Sequence, residues 1–196
     1  MWSAAEEFLL KDKYLRSLVT KWGACSIKAG IKKNYFIDLV SSICSQQLSG
    51  KAASTIFGRV EKLLGQITPE NILKREDQEL RDCGLSWAKI KYIKDLATKV
   101  KDGEVKINKL DKLTDEEVLT ELVSVKGIGK WTAQMFLMFT LARPDIFPVD
   151  DLGIRNGFKK IIGKELKGEE LAKFSERWKP YRTVASWYIW RSLENR

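Results

Sequence analysis

Apolar positions recur at three- and four-residue intervals along most of this chain, the spacing that lines one face of an α-helix. Phe36, Leu39, Val40, Ile43 and Leu48 form one stripe, and Ile56, Val60, Leu63 and Leu64 form the next. Ile90, Ile93, Leu96, Ala97 and Val100 make a third, with Lys89, Lys91, Lys94 and Lys99 on the remaining surface. Thr114-Asp-Glu-Glu117 reads as a capping box, in which the threonine hydroxyl and a glutamate satisfy amides at a helix start. From Trp131 to Ala142 the chain is apolar almost all round, which predicts a helix buried in the centre of the protein. Pro180 suits the first turn of a final helix carrying Val184, Trp187 and Trp190. No segment alternates in the manner of a half-buried strand. The pattern predicts an all-α fold of about ten short helices, without internal repeats.

Between two of these helical patterns lies Gly127-Ile128-Gly129, a tight apolar turn with Lys126 and Lys130 on either side. Backbone amides in such a turn, leading into a helix start, make a small anion site suited to one phosphate. A proline follows soon after, in Phe147-Pro-Val-Asp-Asp151. A phosphate grip close to paired carboxylates suggests chemistry on nucleic acid rather than binding alone.

Composition narrows the choice. The 196 residues are 44% apolar with four prolines, so the chain can bury a substantial core as one domain or as two small lobes. A formal charge of +9 favours a polyanionic partner. The lysine-rich face from Lys89 to Lys101 reads as solvated surface. Cys25, Cys44 and Cys83 are odd in number, widely spaced and set in apolar stretches, as reduced core residues would be. No signal peptide opens the chain, and no apolar run approaches the ~18 residues of a membrane span. A soluble intracellular protein is expected, cytoplasmic or nucleoid, or nuclear in a eukaryote, and not secreted. The chain has no histidine, which removes Ser-His-Asp and Cys-His catalysis and any His-based zinc site. Hydrolytic chemistry must rest on carboxylates, lysines, hydroxyls or tyrosines.

Four segments carry a resemblance. Ser45-Gln-Gln-Leu-Ser-Gly-Lys-Ala-Ala53, Val125-Lys-Gly-Ile-Gly-Lys-Trp-Thr-Ala133, Phe147-Pro-Val-Asp-Asp-Leu-Gly153 and Arg177-Trp-Lys-Pro-Tyr-Arg182 with Ile189-Trp190 resemble, in order and spacing, the helix-hairpin-helix DNA glycosylase superfamily. The match is to its alkyl-base branch, the 3-methyladenine DNA glycosylase II type, in a short form without the N-terminal β-rich domain of many bacterial members. The resemblance implies two helical lobes with an interlobe cleft, as one unit over 1–196. The helix-hairpin-helix would span about 115–142, and the N- and C-terminal helices would share one lobe. It also implies a monomeric enzyme acting on double-stranded DNA that contains alkylated bases.

Breaking an N-glycosidic bond requires a carboxylate beside an oxocarbenium-like sugar. The family pattern D-x-x-I runs Asp151-Leu-Gly-Ile154 and assigns Asp151, whereas anchoring on Pro148-Val-Asp would select Asp150. Both carboxylates are equally suited to capping the helix that begins near Leu152. Trp131 stands where bifunctional relatives carry a Schiff-base lysine, so base release without strand cleavage is expected. Trp131 and Trp190 resemble pocket aromatics that stack on an electron-poor base; core packing is the lesser alternative for Trp131 and an equal one for Trp190. Arg191 occupies a place where alkyl-base members often have another aromatic.

Gln47 matches the wedge position that fills the gap left by an extruded base; a polar helix end with a Ser-Gly turn is the plain alternative. Gln46, Gln47, Ser49 and Lys51, with Gly127, Gly129, Lys130 and Thr132, are the expected DNA contacts. Both hairpin glycines are expected at positions a β-carbon would block. The resemblance requires no cofactor. It allows a Na⁺ or K⁺ on the carbonyls of Val123, Val125 and Ile128, and it gives no iron–sulfur cluster, for which cysteines beyond Cys83 would be needed. A non-catalytic helix-hairpin-helix DNA-binding module, or a glycosylase for another damaged base, are the competing readings.

Overall fold

A computed structural model describes residues 2–31 and 34–194; the ends of the unit expected over 1–196 lie outside them. The described residues are helical throughout their ordered elements and contain no strand. They fall into two compact units: one joins the residues up to Ala29 with those from Leu137 on, and the other runs from Gly30 to Phe136.

The Gly30–Phe136 unit has the longer regular helices. In order these are α3 (Tyr35–Ser45), α4 (Gly50–Leu64), α5 (Pro69–Leu73), α6 (Asp77–Asp82), α7 (Trp87–Lys101), α8 (Asp115–Val123) and α9 (Lys130–Met135). The other unit supplies α1 (Ser3–Leu9), α2 (Arg16–Trp22), α10 (Leu152–Ile162), α11 (Gly168–Ser175) and α12 (Arg182–Arg191).

The apolar stripes explain the packing of the first of these units. Phe36, Leu39, Val40 and Ile43 face inward from α3, and Ile90, Ile93, Leu96 and Ala97 face inward from α7. Helix α7 carries the unit, with α3, α5 and α6 against it. Each fully buried Leu or Ile contributes about 1.5–3 kcal/mol from its removal from water. Leu48 does not join the α3 stripe. The helix ends at Ser45, and Leu48 lies exposed in the following turn. The lysine face of α7 is engaged: Lys89 Nζ donates to Cys44 O at 2.8 Å, Lys94 pairs with Asp77, and Lys99 binds Glu104 at 2.7 Å. Thr114 and Glu117 form the expected reciprocal cap on α8.

In the second unit the helix surrounded on all sides is α12, not the segment from Trp131. Residues Thr183 to Ile189 are all buried, and their polar groups are matched. Thr183 Oγ1 donates to Arg143 O at 2.6 Å, Ser186 Oγ to Arg182 O at 2.8 Å, and Tyr188 Oη to Gly23 O at 2.7 Å. A core hydroxyl without such partners would cost about 1–3 kcal/mol. Phe147, Phe158 and Phe174 pack around the buried Trp178 with ring centroids 5.7–6.3 Å from it. Pro180 precedes α12 rather than opening it, in a cis Lys179–Pro180 bond.

The stretch from Trp131 to Ala142 is α9 followed by a π-helical turn, Phe136–Thr140. The wider turn breaks the 3.6-residue register. Trp131 and Phe139, eight residues apart on one helical face with Met135 between them, are 47% and 43% exposed, while Leu137 and Met138 are buried.

Candidate active site

Within the Gly30–Phe136 unit, α8 and α9 pack together around the turn Ser124–Gly129. Val125 and Ile128 are buried and hold the turn from below; Val125 N donates to Leu122 O and Ile128 N to Val125 O, each at 3.1 Å. Asp95 of α7 accepts the Lys126 amide at 2.9 Å. Gly127 has φ +81°, and a β-carbon there would lie 2.1 Å from Cδ2 of Tyr92. Glycine is required on both counts. Gly129 is different: φ is −86° and a β-carbon would meet nothing within 4 Å. The expectation that both glycines are sterically demanded therefore holds for Gly127 alone, because only that residue bends the chain against a neighbouring ring.

The loop after α3 is tied to this turn. Gln46 Nε2 donates to Gly127 O at 2.8 Å, so the Gln46 amide acts inside the protein. The next residue, Gln47, is exposed and has φ +58°. For a non-glycine residue this conformation costs on the order of 1–3 kcal/mol and is retained where the surroundings impose it. Here the constraints are the Gln46 bond and the Lys89 ammonium on Cys44 O, which closes the end of α3. Loss of water holds the Lys89 amine below the usual lysine range, and burial pushes the Cys44 thiol up to about 12. Gln47, Lys89, Tyr92 and Trp131 line a concavity of about 690 Å³. Ser49, Lys51 and Lys130 are exposed. Thr132, expected as a DNA contact, is only 5% exposed and lines the same concavity.

The hairpin carbonyls of Val123, Val125 and Ile128 are neutral, hard donors of the kind that coordinate Na⁺ or K⁺. Val125 O already accepts one amide, and its second lone pair keeps the set compatible with a cation. Among the described residues no group of three or more His, Cys, Asp or Glu could hold a metal ion, and the three cysteines are buried free thiols.

The other unit holds the carboxylate pair. Asp150 is exposed at the end of its turn. Asp151 is half-buried and is the N-cap of α10, with Oδ1 accepting Ile154 N at 2.7 Å. The same oxygen accepts Trp190 Nε1 at 2.8 Å. Two donors from different helices fix one carboxylate orientation, which the capping role alone would not require. The Trp190 ring continues to Phe139, with centroids 5.8 Å apart and planes tilted by 32°. Arg191 turns elsewhere: its guanidinium lies 4.7 Å from the Trp187 ring and pairs with Glu194 at 2.7 Å. Phe139 is thus an exposed aromatic beside Trp190, at a place periodicity assigned to the core. It shares one helical face with Trp131 and Met135, at i, i+4 and i+8. Gly153 is the other residue whose part the sequence left unread. No helix among the described residues is long and apolar enough to cross a membrane.

Comparison with known proteins finds relatives and solved structures over most of the chain. DNA-3-methyladenine glycosylase 1 of Schizosaccharomyces pombe is 38% identical over 82% of this chain and 73% of its own length. The structure of the S. pombe 3-methyladenine DNA glycosylase Mag1 in complex with abasic DNA superposes with a TM-score of 0.84 and 35% identity, covering 96% of both chains. A DNA-3-methyladenine glycosidase from Bacillus halodurans gives a TM-score of 0.86 and 37% identity, over 97% of this chain and 88% of the other. The model of the HhH-GPD superfamily of base excision DNA repair proteins matches residues 40–180. With the hairpin, the loop tied to it and the doubly held aspartate all inside that span, the chain belongs to the HhH-GPD superfamily of base excision DNA repair proteins.

Proposed function

We propose that this protein is a monofunctional DNA glycosylase that hydrolyses the N-glycosidic bond of alkylated purines, of the 3-methyladenine and 7-methylguanine type, in base excision repair. The observation that carries the reading is the Asp151 carboxylate, oriented by Ile154 N and Trp190 Nε1. A carboxylate so held is preorganised to stabilise positive charge developing on a sugar.

In the proposed reaction the C1′–N bond breaks and its electron pair leaves with the base. An alkylated purine that starts cationic departs neutral, so no general acid is needed. Asp151 stabilises the oxocarbenium-like sugar, and water then adds to C1′ and loses a proton. Trp131 and Trp190 stack on the base, and Gln47 fills the gap it leaves in the duplex, offsetting part of an unstacking cost of a few kcal/mol. Gly127, Gly129 and Lys130 contact the phosphates of double-stranded DNA, together with Ser49 and Lys51. Carbonyls of Val123, Val125 and Ile128 would hold a Na⁺ or K⁺, which would add positive charge at the hairpin. Trp131 in place of a lysine supports base release without strand cleavage. The enzyme is proposed to act as a monomer wherever the chromosomal DNA lies.

Incubation with methylated DNA, followed by chromatography of the released bases, tests the proposal. Release of 3-methyladenine or 7-methylguanine is expected. One observation favours a non-catalytic DNA-binding module instead: Asp151 is also an ordinary N-cap for α10. DNA binding with no base released from any alkylated substrate would select that reading.

A further inference from the structure

Gly153 lies in the first turn of α10, two residues beyond the carboxylate that caps it. A β-carbon there would come 2.8 Å from Cδ1 and 2.9 Å from Nε1 of Trp190, and 3.0 Å from Oδ1 of Asp151. These are the atoms of the Trp190–Asp151 hydrogen bond and its immediate neighbour. The backbone at 153 is not left-handed, so the conformation itself does not demand glycine. In a helix interior alanine is intrinsically favoured over glycine. Glycine is therefore held here against helix propensity, at the one point where a methyl group would occupy the space of the indole edge. A second glycine of α10, Gly157, meets the backbone of α12 at Ile189 instead, so close helix packing is its own explanation and does not account for Gly153.

We propose that Gly153 is a positioning residue: the absence of a side chain admits the Trp190 indole N–H to Oδ1 of Asp151 and so sets the orientation of that carboxylate. This rests on the reading of Asp151 as the catalytic residue. An indole pushed outward by a methyl group would lose its bond to Oδ1, while Ile154 N would still donate to that oxygen. The carboxylate would lose one of the donors that orient it while still capping the helix. Helix and cap would survive, and the alignment of the carboxylate with the sugar would not.

The test combines Gly153→Ala, Trp190→Phe and the double variant in the full-length protein. Single-turnover release of 7-methylguanine from duplex DNA is measured together with the ¹H–¹⁵N indole resonances. Loss of a hydrogen bond to a charged group predicts a rate fall of roughly 10- to 100-fold for Gly153→Ala, with DNA affinity and thermal midpoint close to the parent. The Trp190 indole resonance, assigned by its disappearance in Trp190→Phe, should move upfield in Gly153→Ala. In the Trp190→Phe background, where the donor is already gone and the ring is smaller, Gly153→Ala should have no further effect on rate. An unshifted indole resonance, an unchanged rate, or losses that multiply in the double variant would each overturn the proposal. If the parent protein released no base, the glycosylase reading would fail on its own, and the indole resonance would still decide whether Gly153 admits the Trp190–Asp151 bond.

Discussion

Tyr92 of α7 packs against the turn at Gly127, so closely that a single methyl group at 127 would overlap its ring at 2.1 Å. The contact joins the hairpin to the central helix of its unit, and Asp95, one turn further along α7, takes the neighbouring Lys126 amide. The hairpin turn is therefore braced from beneath by the same helix.

The two hairpin glycines should separate experimentally. Gly127→Ala combines a left-handed φ with an aromatic overlap and should lower stability by about 2–5 kcal/mol in urea unfolding. Adding Tyr92→Ala should return part of that loss, because it removes the overlap but not the backbone strain. Gly129→Ala should leave stability unchanged or slightly raised. Gly129→Asp should weaken binding to all DNA sequences alike, by repelling a phosphate, and a loss confined to lesion-bearing duplex would contradict a backbone role.

Asp151→Asn should abolish base release yet leave thermal stability near the parent, since asparagine caps a helix about as well as aspartate. Asp150→Asn should retain activity, because that residue is exposed and lies outside the Trp190 contact. The reverse result would move the catalytic assignment to Asp150. Two active variants would leave both carboxylates as caps.

Trp131→Ala creates no core cavity, given its exposure, and should cost less than about 1 kcal/mol of stability. Its effect should appear in substrate choice. Excision of cationic 3-methyladenine or 7-methylguanine should fall more than excision of neutral hypoxanthine, by the ~0.5–2 kcal/mol of a cation–π contact. Equal losses across charged and neutral bases would reduce Trp131 to a shaping role. Borohydride should trap no protein–DNA adduct.

The thiols provide a probe of the fold. Burial raises Cys25 to about 11 and Cys44 to about 12, from an ordinary 9.0. Both should resist iodoacetamide at pH 8 in the native protein and react once it is unfolded. Because the folded values lie above the unfolded ones, their contribution to stability is complete below pH 9. It is lost as the pH rises through 9 towards 12. Urea midpoints that stayed constant over that alkaline range would contradict the burial argument.

The amino-acid pattern alone determined the all-helical fold, the α3 and α7 stripes and the Thr114 cap, because these depend on local spacing and on side chains that reach their own backbone. It also singled out the hairpin and the aspartate pair, whose residue types suit the proposed phosphate and sugar chemistry whatever the surroundings. The sequence could not tell which face of this apolar segment meets solvent: Trp131 and Phe139 are as hydrophobic as Leu137 and Met138, and the packing of neighbouring helices decides which are covered. It could not distinguish Gly127 from Gly129, since the difference is the Tyr92 ring, brought there by a helix some thirty-five residues earlier in the chain. Nor could it join Trp190 to Asp151 across thirty-nine residues or give Gly153 a part in that contact. Contacts between residues distant in sequence leave no period in the chain; they are decided by which helices pack together and by the space one side chain leaves for another.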